Sequence, residues 1–451
     1  MSAKIQNRRL STRESAPPQT TNALLDGSLH PRNLWRNFLG QSAGFKLACL
    51  YIIFEYIRPQ SRFPVIDVIP WTMLVVLAGF AAMVPEASRR GWTHTPVNWG
   101  LLAYFLIAAV SLVFAQFPAY GLGHWDSLVP WLVIYVLLTN TVTSRDRFLL
   151  ILLVYVICNL RLSQFGLRTF VLSGGIPGFG FRGPVGWFHN QGELGIQMAM
   201  FAPLALVIAL GLWHRFGRLG RFLLMLMPLS ALLTAVGTHS RGSIVAVGIA
   251  MGWALLAFGV RLRTLFGIAV IMGVGLLLIG DNVWERFATM GEDTTSIRRM
   301  IFLEDGLKMI GDHPLVGIGY FNWMPYYITH FPPVDDVRHL AGHQLPHNIL
   351  IQVAAELGLL GLVTFIALTA MSFLINRRTR RLVGRDAPFF RLMAHGLDAS
   401  MVAFLVAGQF VTVMYYPYFW ITLALTVALH ESCRRDLLVP RAHGSPRHAE
   451  R

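Results

Sequence analysis

Long apolar runs separated by short polar breaks dominate the chain. Runs centred near residues 50, 75, 107, 134, 154, 202, 229, 250, 271, 362, 405 and 423 approach the length of about 20 residues that an α-helix needs to cross a bilayer. The pattern therefore predicts an all-α polytopic membrane protein with about twelve transmembrane helices, of which those near 134, 154 and 423 are short or closely coupled to a neighbour. The pattern changes in two places. From about Arg161 to Gly192, the Gly- and Pro-dense stretch 174–184 breaks helix and strand alike and predicts a loop folded over something. From 281 to 348 the chain turns polar, but Met300, Ile301, Leu303, Leu307 and Ile310 recur at helical spacing. That spacing predicts an amphipathic helix on or near the membrane, ended by Pro314 and Gly317-Ile318-Gly319.

Composition agrees with the apolar runs. Hydrophobic residues make up 54% and charged residues only 14% of 451, where a soluble domain carries about 25% charged. Most of the 38 Lys and Arg residues cluster in alternate breaks, and cytoplasmic loops retain basic residues. This places both termini inside and the segments 161–192 and 281–348 on the outer face of the membrane. The formal charge of +15 is dispersed over membrane-flanking loops with no basic stripe interleaved with aromatics, which excludes nucleic acid as a partner. Arg377-Arg378-Thr379-Arg380-Arg381 instead reads as an anchor against anionic membrane lipids.

Residues 1–40 are too poor in apolar side chains to order themselves and read as a disordered cytoplasmic tail. No short apolar stretch with a small-residue cleavage site precedes the first run, so a removable signal peptide is not expected. The membrane domain occupies 41–432, with the 281–348 loop inside it, and 433–451 form a second cytoplasmic tail. Cys49, Cys158 and Cys433 are far apart and read as inert core thiols.

Ionisable residues at membrane depth are costly, so each marks a possible site. His347-Asn348 stands where the polar loop enters an apolar run and precedes Gly358-Leu359-Leu360-Gly361. An imidazole there, with an ordinary pKa of about 6.5, suits proton transfer at the membrane edge. Arg241, in Thr238-His239-Ser240-Arg241-Gly242-Ser243, lies between two apolar runs on the side where arginine is disfavoured, which points to an anionic partner. Arg298 and Arg299 open the amphipathic helix, and Arg182 lies in Gly-rich backbone suited to an anion. Glu193 and Glu356 sit one turn or two inside their helices, where either is placed to pair with one of these arginines. Gly358 and Gly361, with Ala354 and Ala355, suit close helix packing. His339, His343 and His347 are spaced i, i+4, i+8, a pattern that suggests zinc, and Asp335-Asp336 is a second conceivable metal site. Pro346 interrupts the histidine helix and no cysteine or well-placed carboxylate completes a tetrahedral set, so the reading is metal-independent, with no cofactor and with Asn348, Arg182, His343 and Glu193 as supporting residues.

Taken together these residues resemble the O-antigen ligase and polymerase superfamily of bacterial inner-membrane glycosyltransferases. The likeness is carried, in order, by Ser240-Arg241-Gly242, by Arg299 leading into Met309-Ile310-Gly311-Asp312-His313-Pro314-Leu315-Val316-Gly317-Ile318-Gly319, and by His347-Asn348 with Gly358-Leu359-Leu360-Gly361, over roughly 185–375. Glu55-Tyr56-Ile57-Arg58-Pro59-Gln60 also looks like a subset linked to exosortase-associated glycosylation loci. The resemblance implies a metal-independent, inverting glycosyltransferase. It would take an O-antigen or related polysaccharide from undecaprenyl diphosphate to an acceptor at the periplasmic face, lipid A-core first among the choices. On that reading Arg241 and Arg299, or Arg298, clamp the diphosphate and His347 is the base. A polysaccharide polymerase, a protein O-oligosaccharyltransferase and, from another class, a lipid-linked glycan transporter or a membrane scaffold remain open.

Overall fold

The computed structural model describes residues 29–63, 65, 68–176, 180–261, 294–331, 344–385 and 387–438, which are helical with no strand among them. In chain order the helices are α1 (Pro31–Leu39), α2 (Ala43–Ile57), α3 (Trp71–Arg90), α4 (Pro96–Val113), α5 (Pro118–Gly123), α6 (Val129–Thr141), α7 (Arg145–Ser173), α8 (Gln191–Gly211), α9 (Arg218–Gly237), α10 (Arg241–Leu256), α11 (Thr294–Asp312), α12 (Trp323–His330), α13 (Ile349–Val383), α14 (Pro388–Ala407) and α15 (Pro417–Leu438). Seven described helices are long and apolar enough to cross a membrane: α3, α4, α7, α8, α9, α13 and α14. Of the remaining apolar runs, α2, α6 and α10 are shorter, at 15, 13 and 16 residues, and the run near 271 lies outside the described residues. The three cysteines are buried, as expected of inert thiols.

α8 is the core of the bundle. It is apolar all round, and Gly195, Ala199, Ala202 and Ala205 leave little bulk between it and its neighbours α9, α10 and α14. At Gly195 a β-carbon would stand 2.4 Å from Ser243 Oγ of α10, so only glycine permits that approach. Polar pairs tie other helices together: Ser163 and Ser230 hydroxyls lie 2.9 Å apart between α7 and α9, and Asn376 donates to Asp398 at 2.8 Å between α13 and α14.

Three expectations are corrected. The tail expected to be disordered through residue 40 forms α1 from Pro31 to Leu39, because Pro31 at the first turn and the apolar side chains of Leu34 and Phe38 packed on the core give it a start and an anchor. Residues 1–28 and 439–451 lie outside the described residues. The outer segment expected to open near Arg161 begins only after Ser173, since α7 continues for 29 residues and ends at Gly174 in the left-handed region. Arg145 and Arg147, read as loop charges, are buried. Arg147 donates to Glu86 Oε1 at 2.6 Å, to Gln41 Oε1 at 2.8 Å and to the Thr141 carbonyl at 2.8 Å, joining α7 to α3, to the end of α6 and to the turn before α2.

α13 breaks at Gly358, whose φ of 67° lies in the left-handed region. A break inside an apolar helix strands backbone groups, and each unpaired group in such surroundings is costly. The segment 314–319 supplies the partners. Ile318 and Gly319 amides donate to the carbonyls of Ala355 and Glu356 at 2.8 and 3.0 Å, and the Leu359 and Leu360 amides donate to Pro314 and Leu315 at 2.8 and 3.4 Å. The expected close packing at Gly358 is thus backbone against backbone, with a would-be β-carbon 2.2 Å from the Leu315 carbonyl oxygen. The helix expected over 297–310 runs as α11. Its Met300, Leu303 and Leu307 face outward while Phe302, Met309 and the fully buried Asp305, which accepts from Tyr327 at 2.9 Å, face inward.

Gly358→Ala adds a β-carbon to both a strained φ and a 2.2 Å approach, so it should cost about 2 kcal/mol or more. Thermal unfolding in detergent should show a lowered midpoint. Gly252→Ala, in mid-helix with open space around it, should leave the midpoint unchanged or raise it slightly.

Candidate active site

The site is assembled where α13 begins. Asn348 caps that helix, its Oδ1 accepting from the amides of Leu350 and Ile351 at 2.9 and 3.1 Å. His347, just outside the cap, has φ 52°, a left-handed conformation uncommon for any residue but glycine. The turn after α14 holds it there. The His347 amide donates to Thr412 Oγ1 at 2.6 Å, Asn348 Nδ2 to Gln409 Oε1 at 3.2 Å, and the Ile349 amide to the Gly408 carbonyl at 2.8 Å.

The same turn gathers the cations. Phe410 packs against Gly242, where a β-carbon would stand 2.6 Å from the ring, so the first turn of α10 sits directly on it. The Arg299 guanidinium lies 5.7 Å from the Phe410 ring centroid and donates to the Phe410 carbonyl at 3.4 Å. Ser240 caps α10 by accepting from the Ser243 amide, which fixes Arg241 as the first residue of the helix.

On the other side, the loop before α8 is pinned by Phe181. This fully buried ring presses on Gly237, and its amide donates to the Gly237 carbonyl at 2.7 Å. That leaves the neighbouring Arg182 exposed at the rim. The loop therefore does fold over the bundle, as the glycines and prolines suggested.

Together these elements enclose an open cavity of about 670 Å³. Its walls are Arg182, His189 and the start of α8; His239, Ser240 and Arg241; Arg298 and Arg299; Gln344 and His347; and Phe410 with Val411. The N-terminal ends of α8, α10 and α13 border it, and helix N-termini carry partial positive charge. Four arginines and three helix starts on one cavity make a receptor for a multiply charged anion, with planar bidentate donors suited to phosphate oxygens.

Within this field His347 loses its affinity for a proton. Burial, then the Arg299 charge, push its pKa down from 6.5 to about 4. The expectation of an ordinary imidazole is corrected: the ring is neutral throughout the physiological range, and a lone pair is available at every such pH.

The structure brings Arg182, Arg241, Arg298, Arg299 and His347 to one cavity, and it separates Glu193, Glu356 and Asn348 from that role. Glu193 completes a capping box with Asn190 and accepts from the Tyr416 hydroxyl at 2.8 Å. Glu356 accepts from the Tyr415 hydroxyl at 2.6 Å and the Trp323 amide at 3.2 Å. Both carboxylates are taken by tyrosines and helix ends, so the expected pairing with the arginines does not form. Asn348 spends its side chain on the cap. His339, His343, Asp335 and Asp336 lie outside the described residues, and among the described residues no three His, Cys, Asp or Glu side chains meet as a metal site.

His189, His239, Gln344 and the 408–412 turn were not expected here. His189 and His239 flank motifs that were singled out, and that proximity was the available signal. His239 shares the left-handed backbone of His347, at φ 56°.

Comparison with known proteins agrees with this geometry. Residues 222–366, which contain Arg241, Arg298, Arg299 and His347, match the family model for O-antigen ligase. Residues 36–191 match the model of a family of unknown function. A curated O-antigen ligase from Pseudomonas aeruginosa is 27% identical over 257 residues, 54% of this chain and 58% of that protein. The match thus spans somewhat over half of that relative's length. The arginine-lined cavity and His347 fall inside or beside the matched region, so the part of the chain that builds the site is similar to the O-antigen ligase family.

Proposed function

We propose that this protein is a metal-independent glycosyltransferase that moves an O-antigen or related polysaccharide from undecaprenyl diphosphate to lipid A-core. The observation that carries the reading is a half-buried histidine, its proton affinity lowered, inside a cavity lined by four arginines. In this reading the chain crosses a bacterial inner membrane about twelve times with both termini cytoplasmic, and the cavity, with the 281–348 loop, faces the periplasm.

The chemistry follows from the side chains. The acceptor hydroxyl oxygen attacks the anomeric carbon of the donor sugar and gives its proton to the His347 ring, while the bond from that carbon to the diphosphate oxygen breaks. The leaving undecaprenyl diphosphate takes the electron pair, and Arg241 and Arg299 donate to the oxygens on which charge grows. One displacement inverts the anomeric centre. The departing anion also stabilises the newly formed imidazolium beside Arg299, and the proton then passes to solvent. Arg182 and Arg298 hold the outer parts of the diphosphate or the first sugars.

Transfer assayed with purified protein and undecaprenyl-diphosphate glycan should give product only when lipid A-core is supplied. Elongated lipid-linked glycan in its absence would make the enzyme a polymerase, product on an added protein a protein O-oligosaccharyltransferase, and no bond formation with any acceptor would favour transport. His347→Ala should lower kcat by about 10²–10⁴, and Arg241→Ala by about 10²–10³, with the protein still inserted; full activity in His347→Ala would remove it as the base. EDTA should leave the rate unchanged.

The pH profile tests the electrostatics separately. Because the folded pKa of His347 lies at about 4, below the ordinary 6.5, the base stays unprotonated as pH falls. Its acid limb in kcat/KM should therefore appear near pH 4 and not near 6.5. Arg299→Gln removes a charge that repels the proton, so the limb should move upward, toward 6.5. A limb already near 6.5 in the parent enzyme would contradict the burial assigned to His347.

A further inference from the structure

On the flank of the bundle, three arginines stand at the same end as the catalytic cavity but outside it. Arg58 ends α2 with a left-handed φ of 48° and lies with its guanidinium 5.7 Å from the Trp187 ring centroid. Gly186 makes room for it, since a β-carbon there would stand 2.6 Å from Arg58 Cδ. Arg58, Arg161 and Ser61 line a pocket of about 270 Å³ whose remaining wall is apolar, including Leu162, Phe165 and Val185. Arg161 also belongs to an adjoining groove of about 510 Å³ with Arg168, Val171 and Leu172. Arg161 and Arg168 are exposed, seven residues and so about 10 Å apart along α7. Among the described residues, none of the three guanidinium groups makes a hydrogen bond or ion pair. Glu55, one turn before Arg58, accepts from Trp187 Nε1 instead.

Arginines on an outward helix face among Val171 and Leu172, which are 68% and 74% exposed, are costly against hydrocarbon and favourable against lipid phosphate. We propose that this groove is a binding site for an anionic phospholipid, with its phosphate among Arg58, Arg161 and Arg168 and its acyl chains running toward the membrane along the exposed Ile157 and Leu153 of α7. The occupant is argued from charge complementarity and from the apolar, outward-facing wall, which suits acyl chains better than a soluble anion. The site touches the catalytic cavity through one loop: Pro184 and Val185 wall the lipid pocket, while Arg182 and His189 of the same loop wall the cavity. A bound headgroup thus braces the loop that presents Arg182.

The full-length protein, delipidated in detergent, is titrated with phosphatidylglycerol and with phosphatidylcholine of the same acyl chains, and retained lipid is read by native mass spectrometry. Phosphatidylglycerol should bind at least tenfold more tightly, and Arg161→Gln and Arg168→Gln, both at exposed positions that leave the fold intact, should each weaken it about fivefold. Arg58→Gln should do the same if it folds. Equal binding of the two lipids would overturn the proposal, as would a preference that persists in the Arg161→Gln/Arg168→Gln double variant. Tenfold tighter binding of lipid A than of phosphatidylglycerol would overturn the phospholipid assignment and make the groove a glycolipid site. None of these readouts requires the enzyme to turn over, so an absence of glycosyl transfer would leave the result standing.

Discussion

Backbone amides and carbonyls inside an apolar bundle must be paired, and at Gly358 this requirement shapes the site. Breaking α13 releases carbonyls at Ala355 and Glu356 and amides at Leu359 and Leu360, and the turn 314–319 takes up all four. That exchange docks the C-terminal end of α11 onto α13. With both ends of α11 constrained, Arg299 at its start reaches the Phe410 ring and His347 stands beside it. Two motifs that look independent in the sequence, the Pro314–Gly319 turn and Gly358-Leu359-Leu360-Gly361, are the two sides of one backbone interface.

The second organising element is the short turn 408–412 between α14 and α15. It contributes a carbonyl to Ile349, a hydroxyl to the His347 amide and an aromatic ring beneath Arg299 and Gly242. Through it the starts of α10 and α13 and the first turns of α11 are brought to one cavity, although 106 positions in the chain separate Arg241 from His347. Cation crowding there carries an electrostatic cost in the empty protein, relieved when an anion enters, so the cavity is built around the charge of its ligand.

The apolar runs made the helical class legible, and the outer arginines and His347 were legible because ionisable groups are expensive where they stand. Partnerships were less so. Glu193 and Glu356 looked like counter-ions for arginine, but Tyr416 and Tyr415 from the turn before α15 reach them first, and no local pattern announces a contact across 223 or 59 residues. The 408–412 turn was silent because Gln409 and Thr412 are ordinary residues for a helix end. Periodicity also misplaced the end of α7, since Arg161 and Arg168 look like loop charges until the helix is seen to carry them outward. The depressed proton affinity of His347 depends on burial and on the charge of Arg299, which is a property of assembly alone.

The left-handed backbone at His347 limits what evolution can try at that position. Few side chains tolerate φ 52° cheaply; glycine, asparagine, aspartate and histidine are the main ones. Of these, only histidine is both a competent proton acceptor and uncharged beside a cluster of arginines that must remain open to an anion. An aspartate would form a salt bridge and neutralise the receptor, while glycine and asparagine cannot accept the proton. If His347 is the base, as proposed, the vocabulary available to it is fixed by a single torsion angle before any question of reactivity arises.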